Sequence, residues 1–299
     1  MALPAMAAQQ KSTVPLSGKI LFVPHDNRPV SDSQTVDTIR SLGYEVIVPP
    51  DKLLGNRTDI GHSDELWTWT EKNIKDVDAA VISADSMLYG SLVASRKHDF
   101  NKQVVLDRAE KFVALHKKNP KCKLYVFASI MRTPRSGANS GTEEPSYYAS
   151  YGEAIFRYTA LADKEDMEGL TYREKKEIAF LTKLIPKPAL RDWMSRRSKN
   201  FAANERLIQL TREGVFDYFA LGRDDNAPYS QTHMESRKLA AEGADLSVAK
   251  FQAMAGIDEF GMLMLARAVN DHSHMMPFVM VRYNLGKGAD TIPAYSDEK

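Results

Sequence analysis

The chain reads as an α/β protein built on a mainly parallel sheet, and three observations carry that expectation. Short apolar, β-branched or aromatic runs recur along it. Most of them are continuous rather than alternating, the pattern of strands covered on both faces. The segments between them are amphipathic helix candidates with short connections, and strand–helix–strand repetition argues for parallel pairing.

The strand candidates are Lys19 to Val23, Glu45 to Val48, Ala79 to Ser83, Leu124 to Ala128, Phe216 to Leu221, a weaker run at Val248 to Ala253, and Pro277 to Arg282. Ser33 to Leu42 is a helix candidate stopped by Gly43, as glycine stops helices elsewhere. Val104 to His116 and Asn204 to Thr211 also place apolar residues at helical spacing. Arg132 to Pro145 is rich in Gly, Ser, Thr and Pro and reads as a long loop. Residues 146–214 show a helical pattern with no strand candidate, so a helical insertion is expected there. Its basic run Arg191 to Lys199 reads as a solvated helix face. Seven strand candidates and a long insertion favour an open, doubly wound sheet, with a partial β/α barrel as the alternative. The expected organisation is a leader over residues 1–17 and one α/β domain over 18–299. No closing helix follows Arg282, so a chain shortened at its C-terminal end is expected.

Composition bounds the function. The 299 residues are 43% hydrophobic and 26% charged with a formal net charge of +1, ordinary for a globular protein. Balanced charge gives no support for nucleic-acid binding, which wants a clustered basic face. No apolar run approaches the length of a membrane span. The single cysteine, Cys122, excludes an intrachain disulfide. Ala5-Met6-Ala7 resembles a signal-peptidase site, although the basic and apolar regions that should precede it are missing. A secreted or periplasmic location is the expectation, with a cytoplasmic one left open. Oligomeric state is not readable.

In parallel α/β architectures sites gather at the carboxyl ends of the strands. There the sequence offers His25-Asp26-Asn27-Arg28-Pro29, then Leu54-Gly55-Asn56-Arg57, Asp85 to Gly90 with Ser95-Arg96, Arg132, Asp224-Asp225, and Asp258-Glu259. Adjacent acids at Asp224 and Asp225 repel, which can hold one protonated beside an ionised neighbour. Simpler roles compete: Asp26 with Arg28 as a loop ion pair, and Asp85, Asp258 or Glu259 as acids at helix starts. The histidines show no metal-ligand spacing. Phosphate-loop, dinucleotide-binding and serine-elbow signatures are lacking.

Taken in order, these segments resemble the bacterial domain-of-unknown-function family 4127. Its members carry Asp-x-Arg-Pro after the first strand, Asp-x-x-x-Tyr-Gly, Leu-Gly-x-Asp-Asp-x-Ala-Pro and Gly-Ala-Asp-Glu. The match spans residues 18 to 295, with Ile257 standing where Ala is usual. Family members are longer and carry a Gly-Trp-Asn-Thr segment in a second half, so the chain is similar to the N-terminal portion. The resemblance implies locations rather than an activity.

The leading functional expectation is a hydrolase acting on a carbohydrate, of glycoside type, with Asp224 and Asp225 catalytic. Asp26, Asn27, Arg28, Arg57, Asp85, Tyr89, Arg96, Arg132, Asp258 and Glu259 would bind the small-molecule or saccharide substrate. No cofactor is expected. Two alternatives stand beside it. One is a metal-assisted hydrolase, with a divalent cation held by Asp26, Asp85, Asp224 and Asp258. The other is a non-catalytic saccharide or anionic-ligand binding domain clamped by Arg28, Arg57, Arg96 and Arg132, with both Asp224 and Asp225 paired to arginines.

Overall fold

Six apolar segments form one all-parallel sheet in the order β2-β1-β3-β4-β5-β6 in this computed structural model, which describes residues 17–136, 141–225 and 227–282. The strands are β1 (Gly18–Val23), β2 (Tyr44–Ile47), β3 (Ala79–Ser83), β4 (Lys123–Ile130), β5 (Tyr218–Arg223) and β6 (Phe251–Ala255). The sheet is open, so the barrel alternative is set aside. Every strand-to-strand pairing among the described residues is parallel, with registers such as Ile20 with Ala79 and Val126 with Phe219.

The continuous apolar runs are explained by helices on both faces. On one face, Val36 and Ile39 of α1 (Ser33–Ser41) and Phe260, Met264 and Leu265 of α9 (Phe260–His272) pack on Ile20, Phe22, Val81 and Phe127. The other face is covered by α2 (Ser63–Asn73), α3 (Ala84–Tyr89), α4 (Lys102–Lys118), α7 (Lys187–Arg212) and α8 (Gln231–Glu242). Trp67, Phe112, Leu207 and Leu239 seal it against Leu21, Val126 and Phe219. Burying side chains of this size contributes about 1.5–3 kcal/mol each.

Helix ends follow their local chemistry. Gly43 takes φ 88° just past α1, a left-handed conformation that glycine adopts without steric cost. The Asn101 side chain accepts the Val104 N–H at 2.9 Å to start α4.

The helical insertion is present as α5 (Tyr148–Met167), α6 (Tyr172–Leu184) and α7. It has its own small core of Tyr148, Ile155, Ile185 and Trp193, joined to the sheet through Met131. A Thr171–Glu174 capping box opens α6.

Two expectations are corrected. Pro277 to Arg282 is not a strand; it lies off the sheet, with Phe278 and Val279 exposed. It is apolar enough for a strand, but it pairs with none of the strands among the described residues. The basic run Arg191 to Lys199 is only partly solvated, because Arg196 and Arg197 are buried. The leader, with Ala5-Met6-Ala7, lies outside the described residues except for its last position, Ser17. Among the described residues, no helix is long and apolar enough to cross a membrane.

Candidate functional site

Strand order reverses between β1 and β3, and in open parallel sheets that reversal opens a crevice at the carboxyl ends. The loop leaving β1 enters it with His25, Asp26 and Arg28. Arg28 donates from Nε to Asp26 Oδ2 at 2.7 Å and from Nη2 to Asp258 Oδ1 at 2.7 Å. The β1 loop is thereby tied to the turn before α9. The loop ion pair expected between Asp26 and Arg28 exists, and it is extended to Asp258.

Arg28 Nη2 also lies 3.0 Å from His25 Nε2, and Ser31 Oγ lies 2.9 Å from the same nitrogen. A guanidinium only donates, so Nε2 accepts and the ring proton sits on Nδ1. Burial lowers the His25 pKa, which keeps the ring neutral. Nδ1 is buried without a partner.

A second cluster lies over the ends of β3, β4 and β5. Arg96 donates from Nη2 to Asp224 Oδ2 at 3.2 Å, and Arg132 from Nη1 to the same oxygen at 3.4 Å. Arg132 also binds Glu144 through Nε at 2.6 Å and Glu143 through Nη2 at 2.7 Å. Arg57, largely exposed, reaches Glu143 at 3.0 Å.

The acid pair is split by its surroundings. The Asp224 side chain is 33% exposed and faces the two arginines. Asp225 is partly buried; its Oδ2 accepts the Thr133 backbone N–H and lies 3.0 Å from the Thr232 hydroxyl, while Oδ1 is buried without a partner. Burial raises the Asp225 pKa, and the Thr133 N–H and Arg197 offset only part of this. Repulsion from Asp224 is the smallest of these influences, so burial rather than adjacency carries most of the effect. Among the described residues, Asp225 forms no ion pair with an arginine, whereas Asp224 does; a pure anion binder is expected to pair both.

The remaining candidates divide. Asp85, in the first turn of α3, is sealed beneath the rim with Oδ2 unpartnered, and burial pushes its pKa up to about 7. Ser83, not Asp85, caps that helix. Tyr89 is buried and stacks on His98 with ring centroids 4.7 Å apart, below the surface a ligand would meet. The Asn27 backbone N–H donates to the Gly55 carbonyl at 3.2 Å. Glu259 is exposed at the start of α9 and caps it with no side-chain bond. The four carboxylates offered as cation ligands do not gather: Asp26 and Asp258 face Arg28, Asp224 faces Arg96 and Arg132, and Asp85 is sealed. Among the described residues, no group of three or more His, Cys, Asp or Glu side chains is arranged to hold a metal ion.

Sequence reasoning named His25 only within a strand-end segment and passed over Glu143, Glu144 and Arg197. Glu143-Glu144 is a second pair of adjacent acids, the same signal that singled out Asp224-Asp225, hidden in a loop read by its Gly, Ser, Thr and Pro content. Arg197 lies behind the rim and donates to the Met131 carbonyl at 2.6 Å and the Arg132 carbonyl at 3.0 Å, fixing the loop that follows β4.

The segments that carried the family resemblance therefore share one edge of the sheet. The family model described as protein of unknown function (DUF4127) matches residues 20–299. The chain belongs to this family. Comparisons with curated proteins and with solved structures gave no match. A cleft of this DUF4127 chain, about 1210 Å³, opens at the opposite, amino-terminal edge near Asp78, Lys123 and Asp271. Three of its four acids are already engaged: Asp78 accepts the Lys19 N–H, Asp217 binds Lys123, and Asp271 binds Tyr125 and Arg267. The carboxyl-end rim, with its unpartnered buried polar atoms, is the stronger candidate.

Proposed function

We propose that the carboxyl-end rim is the active site of a hydrolase acting on a carbohydrate, of glycoside type. The observation that supports this reading is the contrast within the acid pair. Glycosidic cleavage uses one carboxyl that gives a proton and one that stays charged, and differing environments separate the two. Asp224 is half open and held between two guanidinium groups. Asp225 keeps its proton to higher pH than an ordinary aspartate. Its Oδ2 is taken by the Thr133 N–H, so that proton resides on the buried Oδ1, and substrate binding has to open this carboxyl to the rim. In this reading Asp225 is the general acid and Asp224 the charged partner. Arg28 and Asp258, with side chains 43% and 44% exposed, supply hydrogen bonds to sugar hydroxyls.

A screen against aryl glycosides and cell-wall saccharides, with Asp224→Asn and Asp225→Asn alongside, tests the assignment. Hydrolysis of one saccharide class is expected, with Asp225→Asn slower by on the order of 10²–10⁴-fold and still folded. Wild-type turnover in both variants would remove the two carboxyls from the mechanism. Saccharide binding without hydrolysis by the wild type would favour a binding domain instead.

A further inference from the structure

Three arginines from three successive strand-end loops converge on a single carboxylate. Glu143 Oε1 lies 3.0 Å from Arg57 Nε, and Oε2 lies 2.7 Å from Arg132 Nη2 and 3.5 Å from Arg96 Nη1. The geometry points to an oxyanion subsite formed by Arg57, Arg96 and Arg132, in which Glu143 occupies the place of a carboxylate or phosphate group on the substrate. This rests on reading the rim as the substrate site, though not on the reaction carried out there.

Four observations carry it. Burying a guanidinium is costly unless its donors are satisfied. Arg96 is 3% exposed, yet its Nη1 has no hydrogen-bond partner, because Glu143 and Glu144 stand at 3.5 and 3.8 Å. A buried donor is thus aimed into the cradle and left unfilled. The like charge of Arg132 adds to the burial that lowers the Arg96 pKa, so a well-placed anion would relieve both.

The two adjacent glutamates differ in how firmly they are held. Glu144 is 1% exposed and bonded to Arg132 Nε at 2.6 Å. The Glu143 side chain is 18% exposed and lies on the outer side of the cluster with Arg57. Glu143 is the one a ligand can replace.

Charge balance points the same way. Arg57, Arg96 and Arg132 face Glu143, Glu144 and Asp224, three cations against three anions. An incoming oxyanion in place of Glu143 keeps the negative charge that Arg96 and Arg132 face at this point. Planar guanidinium forks suit carboxylate and phosphate oxygens equally.

The test measures binding without turnover. Inorganic phosphate and, separately, glucuronate are titrated calorimetrically into the wild type, Glu143→Ala, Glu143→Gln, and Glu143→Ala combined with Arg57→Gln. Removing the resident carboxylate should tighten binding of at least one anion by about tenfold or more. Adding Arg57→Gln, a change at an exposed side chain, should reverse much of that gain. Phosphate preferred over glucuronate assigns a phosphorylated substrate; glucuronate preferred assigns a sugar acid. The proposal is overturned if the folded Glu143 variants, judged by circular dichroism, bind neither anion more tightly than the wild type, or if Arg57→Gln changes nothing. Glu143→Gln keeps the side chain's shape, so a folded variant is at hand even if the alanine form is lost. Anion binding without saccharide hydrolysis would remove the proposed reaction and leave the subsite; hydrolysis without anion binding would do the reverse.

Discussion

Arg197 on α7 and Glu235 on α8 meet behind the rim, Nε to Oε1 and Nη2 to Oε2, each at 2.8 Å. This two-pronged pair is buried on both sides. Its remaining donors bind the Met131 and Arg132 carbonyls and approach the Thr133 and Thr232 hydroxyls. The same threonines contact Asp225. The helical insertion thus braces the loop that presents Arg132.

Breaking this pair from one side should be severe. Arg197→Met leaves Glu235 buried without its partner, a situation that costs about 3–5 kcal/mol. Chemical denaturation should show that loss. The double variant Arg197→Met/Glu235→Met should recover a large part of it, since two apolar chains leave no stranded charge. A double variant no more stable than the single one would show that the carbonyl bonds, not the ion pair, carry the energy.

The sheet was legible because strands buried on both faces leave continuous apolar runs, and five of the seven candidates overlap a strand directly. Val248 to Ala253 overlaps β6 by its second half, since the strand starts only at Phe251. Pro277 to Arg282 has a strand's composition but pairs with none of the described strands, and pairing is a property of the whole sheet. Arg197 was hidden for a related reason: a basic helical run is ordinarily solvated, and its burial depends on Glu235, 38 residues on. His25 gave no ligand spacing because its partners, Arg28, Ser31 and the Phe127 ring edge, do not form a motif. The candidate acids were visible as strand-end residues, whereas the exposure that separates Asp224 from Asp225 is set by Thr133, Thr232 and Arg197 in three dimensions.

Gly222, two residues before Asp224, is required by close packing. A Cβ there would meet the Gly256 carbonyl oxygen and come within 2.9 Å of the Phe260 ring. Backbone cannot yield as a flexible side chain can, and overpacking of this kind costs about 1–3 kcal/mol. Gly222→Ala should lower the denaturation midpoint accordingly and displace the end of β5 that carries the acid pair. A midpoint within roughly 0.5 kcal/mol of the wild type, the range of neutral surface changes, would contradict the packing.

Asp85 makes stability depend on pH in a direction that can be checked. Its folded pKa, pushed up by burial from 3.8 to about 7, means the folded protein binds more protons than the unfolded chain between those values. Stability therefore falls as pH rises across that window, by an amount of roughly 4 kcal/mol at most. His25 and His98 act oppositely. Burial lowers both, His98 to about 4, so their contribution is lost as pH falls below the ordinary histidine range. The wild-type profile mixes these effects, and Asp85→Asn isolates one of them. An amide is neutral at every pH, so the variant should match the wild type most closely near pH 4 and gain on it steadily toward pH 8. Thermal denaturation of both proteins across that range measures the difference. A gap that stays constant with pH would mean that Asp85 is not held protonated in the folded protein.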